Sequence, residues 1–297
     1  MAFVTVRDGQ RLHVRVLGRG RPVLLLHGLG SSSAQWLPFV LPLLGTATFY
    51  IPDFRGAGRS ASVVLNQPDM FQNHVEDVED IVRHFGLEDF LLAGHSMGAT
   101  TALHWLHLGG FSGVRRYMHI DQSPSVGNRH DWTYGLLGAA QDDYFNDMRQ
   151  LLALLQEHEH HDHIGRLPFH ARRQALGLLA RSQDRMGNAV PARLLRLARH
   201  WPALTRRLPL GRIADLQRIL GTYLESRDYR ESLRQCAVPV TVVVGMRSVL
   251  YDPAGQMAIA DYAPHCRVVA FEKAGHLLPL DSPVRFLREF RRFVSEQ

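Results

Sequence analysis

The stretch FLLAGHSMGATTAL, residues 90–103, decides the fold of this chain. It opens with an apolar run of the kind that forms a buried strand, and it closes with residues that favour a helix. Between them, Gly94, Ser96 and Gly98 follow the pattern Gly-x-Ser-x-Gly, which turns a strand sharply into a helix. The turn leaves no room for side chains two residues before and after the serine, which explains both glycines. The stretch therefore predicts an exposed nucleophile, Ser96, at the start of a helix whose dipole favours developing negative charge.

A second glycine-containing loop, HGLG at 27–30, follows the apolar run at 23–26. A serine that attacks a carbonyl group needs two N–H donors aimed at the oxyanion that forms. In sites of this kind one donor is the backbone N–H of the residue after the nucleophile, and the other comes from the loop after the third strand. The sequence therefore predicts backbone donors at Met97 and Leu29.

Short apolar runs alternate with amphipathic patterns along most of the chain. The runs lie at 23–26, 48–51, 90–93, 116–120, 240–244 and 268–271, after a hairpin pattern at 3–6 and 12–17. Strands that alternate with helices predict an α/β fold with a mostly parallel sheet, here of eight strands, and helices on both faces. From 124 to 235 the pattern is helical, with no apolar strand run. We therefore predict a core domain at 1–123 and 236–297, interrupted by a helical cap at 124–235.

With these features the chain resembles the α/β-hydrolase family along nearly its whole length. The resemblance rests on His27-Gly28, the segment DFRGAGRS at 53–60, the turn at 94–98 and Gly275-His276. In the family the DxRGxGxS segment shapes a loop, which implies structural roles for Asp53 and Arg55. The family also places its catalytic histidine after the last strand and before the final helix, as His276 is placed here. The resemblance therefore implies that His276 is the general base.

The carboxylate that orients the histidine has two candidates. The family most often carries this acid three residues past the glycine that ends the seventh strand, and Ser248 stands there in this chain. Asp121 ends the sixth strand at the carboxyl edge of the sheet, where some branches of the family carry their acid. Asp252 follows soon after Ser248, but it precedes a proline and a helical pattern, so it also fits a helix N-cap. Because the usual position is vacant, we favour Asp121 and keep Asp252 as the alternative.

A serine nucleophile selects among the reactions of the family. Its haloalkane dehalogenases and epoxide hydrolases use an aspartate at the turn, so Ser96 argues against both. The remaining chemistry is acyl transfer through an acyl-enzyme, with ester hydrolysis as its commonest form and no cofactor. Lactone hydrolysis, C–C bond hydrolysis, perhydrolysis and acyl transfer to an alcohol stay open. A binding protein with an inactive site is the alternative from a different class.

The predicted substrate is a small, partly apolar acyl compound held between the core and the cap. The predicted pocket residues are Trp36, His95, Trp132 and Leu136. Each of these side chains is equally suited to packing. His95 in particular stands next to the nucleophile but is expected to point away from it.

Charge is unevenly spread along the chain. The net charge is +6, Lys273 is the only lysine, and much of the arginine excess lies between 166 and 234. Such an excess is typical of a solvated helical face, the interpretation we favour, or of a surface for anionic partners or membranes. No nucleic-acid signature accompanies it, so nucleic acid is not an expected partner.

The remaining composition predicts a cytoplasmic protein without a metal. The tract HEHHDH at 158–163 lacks a second ligand cluster, so we expect a solvated lid segment there. The first residues do not follow a signal-peptide pattern, and no apolar stretch is long enough to span a membrane. Two cysteines are too few for a disulfide framework, which fits a reducing compartment.

Overall fold

The computed structural model describes residues 2–201, Thr205 and 210–296, so 202–204 and 206–209 of the predicted cap lie outside the described residues. The described strands are β1 (Ala2–Thr5), β2 (Arg11–Gly18), β3 (Arg21–Leu26), β4 (Ala47–Pro52), β5 (Phe90–His95), β6 (Val114–Ile120), β7 (Val240–Gly245) and β8 (Cys266–Phe271). They form one sheet in the order β1-β2-β4-β3-β5-β6-β7-β8. The pairs β1–β2 and β2–β4 are antiparallel and the other pairs are parallel. The predicted mostly parallel, eight-stranded sheet is confirmed.

Helices cover both faces of this sheet. The described α-helices are α1 (Leu37–Val40), α2 (Met70–Phe85), α3 (Met97–His107), α4 (Gln141–Glu157), α5 (Phe169–Arg185), α6 (Ala189–Ala198), α7 (Ile213–Glu225), α8 (Arg230–Arg234), α9 (Pro253–Met257), α10 (Leu278–Asp281) and α11 (Pro283–Ser295). Helices α2 and α3 share one hydrophobic cluster with the sheet, and α1 and α11 share the cluster on the opposite face.

Strand β5 runs through the middle of the sheet, and all six of its residues are buried. Leu92 packs into the cluster of α2 and α3, whereas Leu91 and Ala93 pack into the cluster of α11. A strand that is covered on both faces is expected to be mostly apolar, as the sequence pattern at 90–93 indicates. Ser96 follows the carboxyl end of β5 and therefore lies at the edge of the sheet where β6 and β7 also end.

Helices α4 to α7 lie between β6 and β7 and have a hydrophobic cluster of their own. Leu155, Leu176, Ala198 and Leu220 contribute to it, and Tyr251 joins it from the loop after β7. The structure thus places helices where the sequence predicts them. The division into a core domain and a cap, with boundaries at 123/124 and 235/236, stays a prediction.

Buried hydrogen bonds and a buried ion pair hold the loop after β4. Asp53 accepts hydrogen bonds from the backbone N–H groups of Ser33 at 2.6 Å and Arg59 at 3.0 Å. Arg55 donates two parallel hydrogen bonds, of 2.8 and 2.7 Å, to the carboxylate of Asp77 in α2. These bonds fix the loop beside the end of β3, in keeping with the structural roles that the sequence implies.

Two buried histidines should make the fold sensitive to acid. Burial lowers the pKa of His74 to about 3 and the pKa of His119 to about 4, from an ordinary value of 6.5. As the pH falls below 6.5, the unfolded chain takes up protons on both rings and the folded chain does not. The free energy of unfolding is therefore highest above pH 6.5. It falls towards pH 4, by up to about 1.4 kcal/mol per pH unit for each ring. Urea unfolding at a series of pH values across this window measures the slope.

The variant His74→Phe separates this effect from general acid denaturation. The His74 ring stacks on Phe54 with 4.2 Å between ring centroids, so an aromatic ring of similar size fits there. We expect the slope for this variant to be shallower by about 1.4 kcal/mol per pH unit, because one proton fewer is taken up on unfolding. A wild-type free energy of unfolding that stays constant across the window would contradict the prediction.

Candidate active site

The turn from β5 into α3 is as tight as the glycine pattern predicts. Ser96 has φ of 53° and ψ of −121°, a backbone conformation that residues with side chains rarely adopt. A β-carbon at Gly94 would lie 2.6 Å from the carbonyl oxygen of Gly98, and one at Gly98 would lie 2.5 Å from that of Leu26. Only glycine fits at either position. The strained turn holds the Ser96 hydroxyl at the end of the sheet, partly open to solvent.

Three side chains from distant parts of the chain form one hydrogen-bonded relay. The Oγ of Ser96 lies 3.0 Å from Nε2 of His276, which follows β8. The Nδ1 of His276 lies 2.6 Å from Oδ2 of Asp121, which follows β6. The carboxylate can therefore fix the tautomer in which Nε2 is free to accept a proton from the serine.

Asp121 is fully buried, and hydrogen-bond donors surround its carboxylate. Oδ1 accepts from the backbone N–H of Gly245 at 2.9 Å and from the amide of Gln256 at 3.4 Å. Oδ2 accepts from the hydroxyl of Ser248 at 2.7 Å as well as facing His276. These donors replace the water that a buried carboxylate loses, which offsets the cost of placing it there.

Asp252, the alternative acid, lies elsewhere. Its side chain is exposed and accepts a hydrogen bond of 2.8 Å from the backbone N–H of Ala254, so it is the N-cap of α9. Of the two candidates, the structure brings Asp121 to His276. The assignment of Asp121 as the catalytic acid stays a prediction that rests on this geometry.

Ser248 has a role that the sequence alone did not reveal. It stands at the family's usual acid position, and its hydroxyl supports the carboxylate that comes from the neighbouring strand. Gly245 has to be glycine, because a β-carbon there would lie 2.8 Å from Oδ1 of Asp121. The hydroxyl residue at the family's usual acid position is the sequence signal for this role. A hydroxyl there can donate a hydrogen bond to an acid that comes from a neighbouring strand.

Removal of the Ser248 hydroxyl should weaken turnover moderately. In Ser248→Ala the Asp121 carboxylate loses one charged hydrogen bond, and we expect kcat to fall about tenfold with KM unchanged. Ser248→Thr keeps the hydroxyl and should retain most of the activity. Steady-state kinetics on a p-nitrophenyl ester measure both variants, and equal kcat values for the alanine variant and the wild type would refute this role.

The two predicted oxyanion donors flank the nucleophile. Met97 is the first residue of α3, and the first N–H groups of a helix have no acceptor within the helix. Within the described residues, the N–H of Leu29 has no hydrogen-bond acceptor. A β-carbon on the adjoining Gly28 would lie 3.4 Å from Cβ of Ser96, so the loop passes directly beside the serine. The arrangement suits a pair of donors to a developing oxyanion.

Comparison with known proteins shows the family to which this fold belongs. A sequence profile of the α/β-hydrolase fold matches residues 21–283. The chain belongs to the α/β-hydrolase family. A non-heme haloperoxidase from Rhodococcus erythropolis is 34% identical over 127 residues, which cover 42% of this chain and 46% of that protein. A pimeloyl-[acyl-carrier protein] methyl ester esterase from Nitrosomonas europaea is 25% identical over 94% of this chain and 98% of its own length.

Solved structures share the fold over the whole length. An esterase from Exiguobacterium antarcticum matches with a TM-score of 0.72 and 20% identity, covering 99% of each chain. At this identity the match shows the fold alone. The haloperoxidase alignment spans less than half of that relative. Family membership therefore supports a hydrolase, and the bond that it cleaves has to be argued from the site.

In this α/β hydrolase the ring of His95 is buried among site residues, and its prediction as a pocket residue is not supported. Its Nε2 donates a hydrogen bond of 3.0 Å to the backbone carbonyl of His276. Nδ1 accepts from the side-chain amide of Gln35 at 3.2 Å, and the carbonyl oxygen of that amide accepts from the N–H of Gly28 at 3.5 Å. Burial, together with the charge of a protonated His276, lowers the pKa of His95. A neutral His95 thus links the loop that carries His276 to the loop after β3.

Trp36 and Trp132 are also buried, and their prediction as pocket residues is not supported. Trp36 lies between the sheet and α11, with its ring 5.9 Å from that of Phe290. Trp132 lies under the guanidinium group of Arg230, which is 5.0 Å from its ring. Only 1% of Trp36 and 4% of Trp132 is exposed, so neither side chain offers a surface to a substrate. Leu136 is buried in the cluster of the inserted helices, and its prediction as a pocket residue is likewise not supported.

The histidine tract after α4 is more clustered than expected. One ring nitrogen from each of His158, His160 and His161 lies within 4.8 Å of the other two, on a partly exposed turn. Histidines this close together in sequence meet readily. The absence of a metal stays a prediction. None of the helices in the described part of the chain has the length and apolar character to cross a membrane.

Proposed function

We propose that this α/β hydrolase cleaves a carboxylic ester through an acyl-enzyme on Ser96. The observation that carries the proposal is the relay from Ser96 through His276 to Asp121, with distances of 3.0 and 2.6 Å. A nucleophile, a base and an orienting carboxylate in this order are the components of acyl transfer by a serine. The similarity to the methyl ester esterase from Nitrosomonas europaea lends support.

The proposed reaction has two halves. In the first, Nε2 of His276 takes the proton of the Ser96 hydroxyl while Oγ attacks the ester carbonyl, and the N–H groups of Leu29 and Met97 stabilise the oxyanion. His276 then gives the proton to the departing alcohol, which leaves the acyl group on the serine. In the second half, water attacks the acyl-enzyme with His276 as base, and the carboxylic acid departs. Asp121 stabilises the imidazolium in both halves.

The surroundings of the site favour a partly apolar substrate. Three side chains that adjoin functional atoms are exposed and apolar: Leu29, Leu277 and Val249. Leu29 carries a candidate oxyanion donor, Leu277 follows His276, and Val249 follows Ser248. An apolar acyl or alcohol group that covers them would remove this surface from water. We therefore propose a small ester with an apolar portion, and a cytoplasmic location remains part of this proposal.

A substrate panel tests the reaction type. Release of p-nitrophenol from acetate, butyrate and octanoate esters is measured beside hydrolysis of a lactone, with and without an added alcohol. We expect turnover of at least one ester, with the free acid as product. Esters of the alcohol as the main product would indicate an acyltransferase. A folded protein that turns over none of the panel would contradict the proposal and favour a binding protein.

A further inference from the structure

Helix α6 carries an apolar face that points away from the protein. Its inward face packs on the other inserted helices through Ala192, Leu195 and Ala198. The outward face presents Val190, Leu194, Leu197 and, just beyond the end of the helix, Trp201, which are exposed by 72, 43, 44 and 64% respectively. We call these four residues the α6 stripe. Steps of four and three residues place Val190, Leu194 and Leu197 on one side of the helix, and Trp201 follows in the turn after it. Monomeric proteins rarely leave a row of large apolar side chains in water, so we expect the stripe to be covered by a binding partner.

The charge around the stripe limits what this occupant can be. Residues 166–234 contain 15 arginines and five acidic residues, a net charge of +10 in a chain whose total is +6. Arg193 precedes Leu194 at the side of the stripe, and Arg173 lies on α5, the helix against which α6 packs. Both are exposed, and within the described residues neither has an acidic partner. A second copy of the chain would bring a like charge to the same face and be repelled, whereas an anionic surface would be attracted.

We propose that the α6 stripe docks on the surface of an anionic lipid bilayer. In this arrangement the four apolar side chains enter the interface, and Arg173 and Arg193 face acidic headgroups. A helix with a bulky apolar face and arginines beside it is the kind of element that lies in the plane of a membrane interface. Tryptophan is favoured at the level of the headgroups, and Trp201 ends the stripe.

The turn before α6 connects the proposed docking surface with the candidate active site. Gly187 lies against Val249, since a β-carbon on Gly187 would be 3.4 Å from Cγ2 of that residue. Val249 follows Ser248, whose hydroxyl contacts Asp121. Docking would therefore bring the loop beside the relay close to the bilayer. That an apolar ester in the bilayer is the substrate rests on the proposed function, but docking itself does not.

Vesicle co-sedimentation tests docking independently of activity. The full chain is mixed with vesicles of equal parts phosphatidylcholine and phosphatidylglycerol, and separately with pure phosphatidylcholine vesicles. We expect binding to the mixed vesicles that weakens on raising the salt from about 0.1 M to about 0.5 M, because screening reduces the attraction of arginines to headgroups. The variant Leu194→Gln/Leu197→Gln should bind at least about tenfold more weakly, since two apolar side chains no longer enter the interface.

Matched controls distinguish the stripe from general surface effects. The variant Leu41→Gln/Leu108→Gln removes two leucines that are also exposed but lie outside the stripe, and it should bind as the wild type does. In the same way, Arg173→Gln/Arg193→Gln should weaken binding about tenfold, whereas Arg19→Gln/Arg288→Gln should weaken it much less. Circular dichroism establishes that each variant is folded.

Tryptophan fluorescence reports the orientation of the bound protein. Trp36, Trp105 and Trp132 are buried, so Trp201 is the tryptophan through which an external quencher acts. On mixed vesicles we expect a blue shift of the emission and protection from acrylamide, both absent in Trp201→Phe. The proposal is overturned if the wild type does not bind the mixed vesicles or if the stripe variant binds as tightly as its control. A stripe-dependent dimer in sedimentation analysis without vesicle binding would also overturn it, in favour of a second copy.

Discussion

Ser96→Ala is expected to lower kcat by about 10⁶-fold while leaving the fold intact. The alanine has no oxygen to attack the carbonyl, and the His276 imidazole has no proton to accept at 3.0 Å. The backbone is expected to persist, because it is fixed by the close approaches of Gly94 and Gly98 rather than by the hydroxyl. A small residual rate should remain, since the N–H groups of Leu29 and Met97 still polarise a bound carbonyl.

The matched control for this variant is Ser282→Ala at the start of α11. No hydrogen bond of its hydroxyl to the described residues is seen, so its loss should leave kcat and KM within about twofold of the wild type. Both variants are compared on the ester that the panel identifies, with thermal unfolding to establish that each is folded. A Ser96→Ala protein that keeps more than a small fraction of the wild-type kcat would mean that another residue is the nucleophile.

Asp121→Asn is expected to lower kcat by about 10⁴-fold. The asparagine can still accept the hydrogen bond from the N–H of Gly245 at Oδ1, so the local backbone should hold. At the position of Oδ2 the variant has an NH₂ group instead of an acceptor. This group faces two groups that donate to Oδ2 in the wild type: Nδ1 of His276 at 2.6 Å and the hydroxyl of Ser248 at 2.7 Å. The imidazole is then driven to the tautomer with the proton on Nε2, which cannot accept the serine proton.

Asp252→Asn makes the same chemical change at the alternative acid. Asparagine is an N-cap of similar quality, so the bond to the N–H of Ala254 should survive and kcat should change by less than about twofold. The two variants together decide between the candidates. A loss of turnover in Asp252→Asn with a mild effect in Asp121→Asn would require a rearranged loop after β7 and would refute the relay described here.

Much of the fold follows from local patterns in the sequence. The apolar run of β5 and the glycines around Ser96 specify a strand, a turn and a helix through short-range sterics, and the structure has all three. His276 could be selected from the histidines because the order of elements along the chain indicates which loop follows the last strand. The eight-stranded sheet follows for the same reason, since alternating strands and helices leave few topologies.

The remaining site features depend on contacts between distant segments. The choice between Asp121 and Asp252 is set by the pairing of β6 with β7, in which the N–H of Asp121 bonds to the carbonyl of Val243 at 2.9 Å. No local pattern specifies that pairing. The sequence predicts Trp36 as a pocket residue because it does not show that the ring of Phe290 packs against it. The link from Gln35 through His95 to the loop that carries His276 cannot be read from the sequence for the same reason.

Peptide mapping of the protein after reaction with a fluorophosphonate probe tests the central claim most directly. The probe forms a stable bond with a serine that is activated for attack. We predict one adduct per chain, located on Ser96 in the tryptic peptide that contains the turn after β5, and no adduct in Ser96→Ala. Labelling of Asp121→Asn should be much slower than that of Asp252→Asn. An adduct on another residue, or a folded wild-type protein that hydrolyses esters and yet remains unlabelled at Ser96, would contradict the claim.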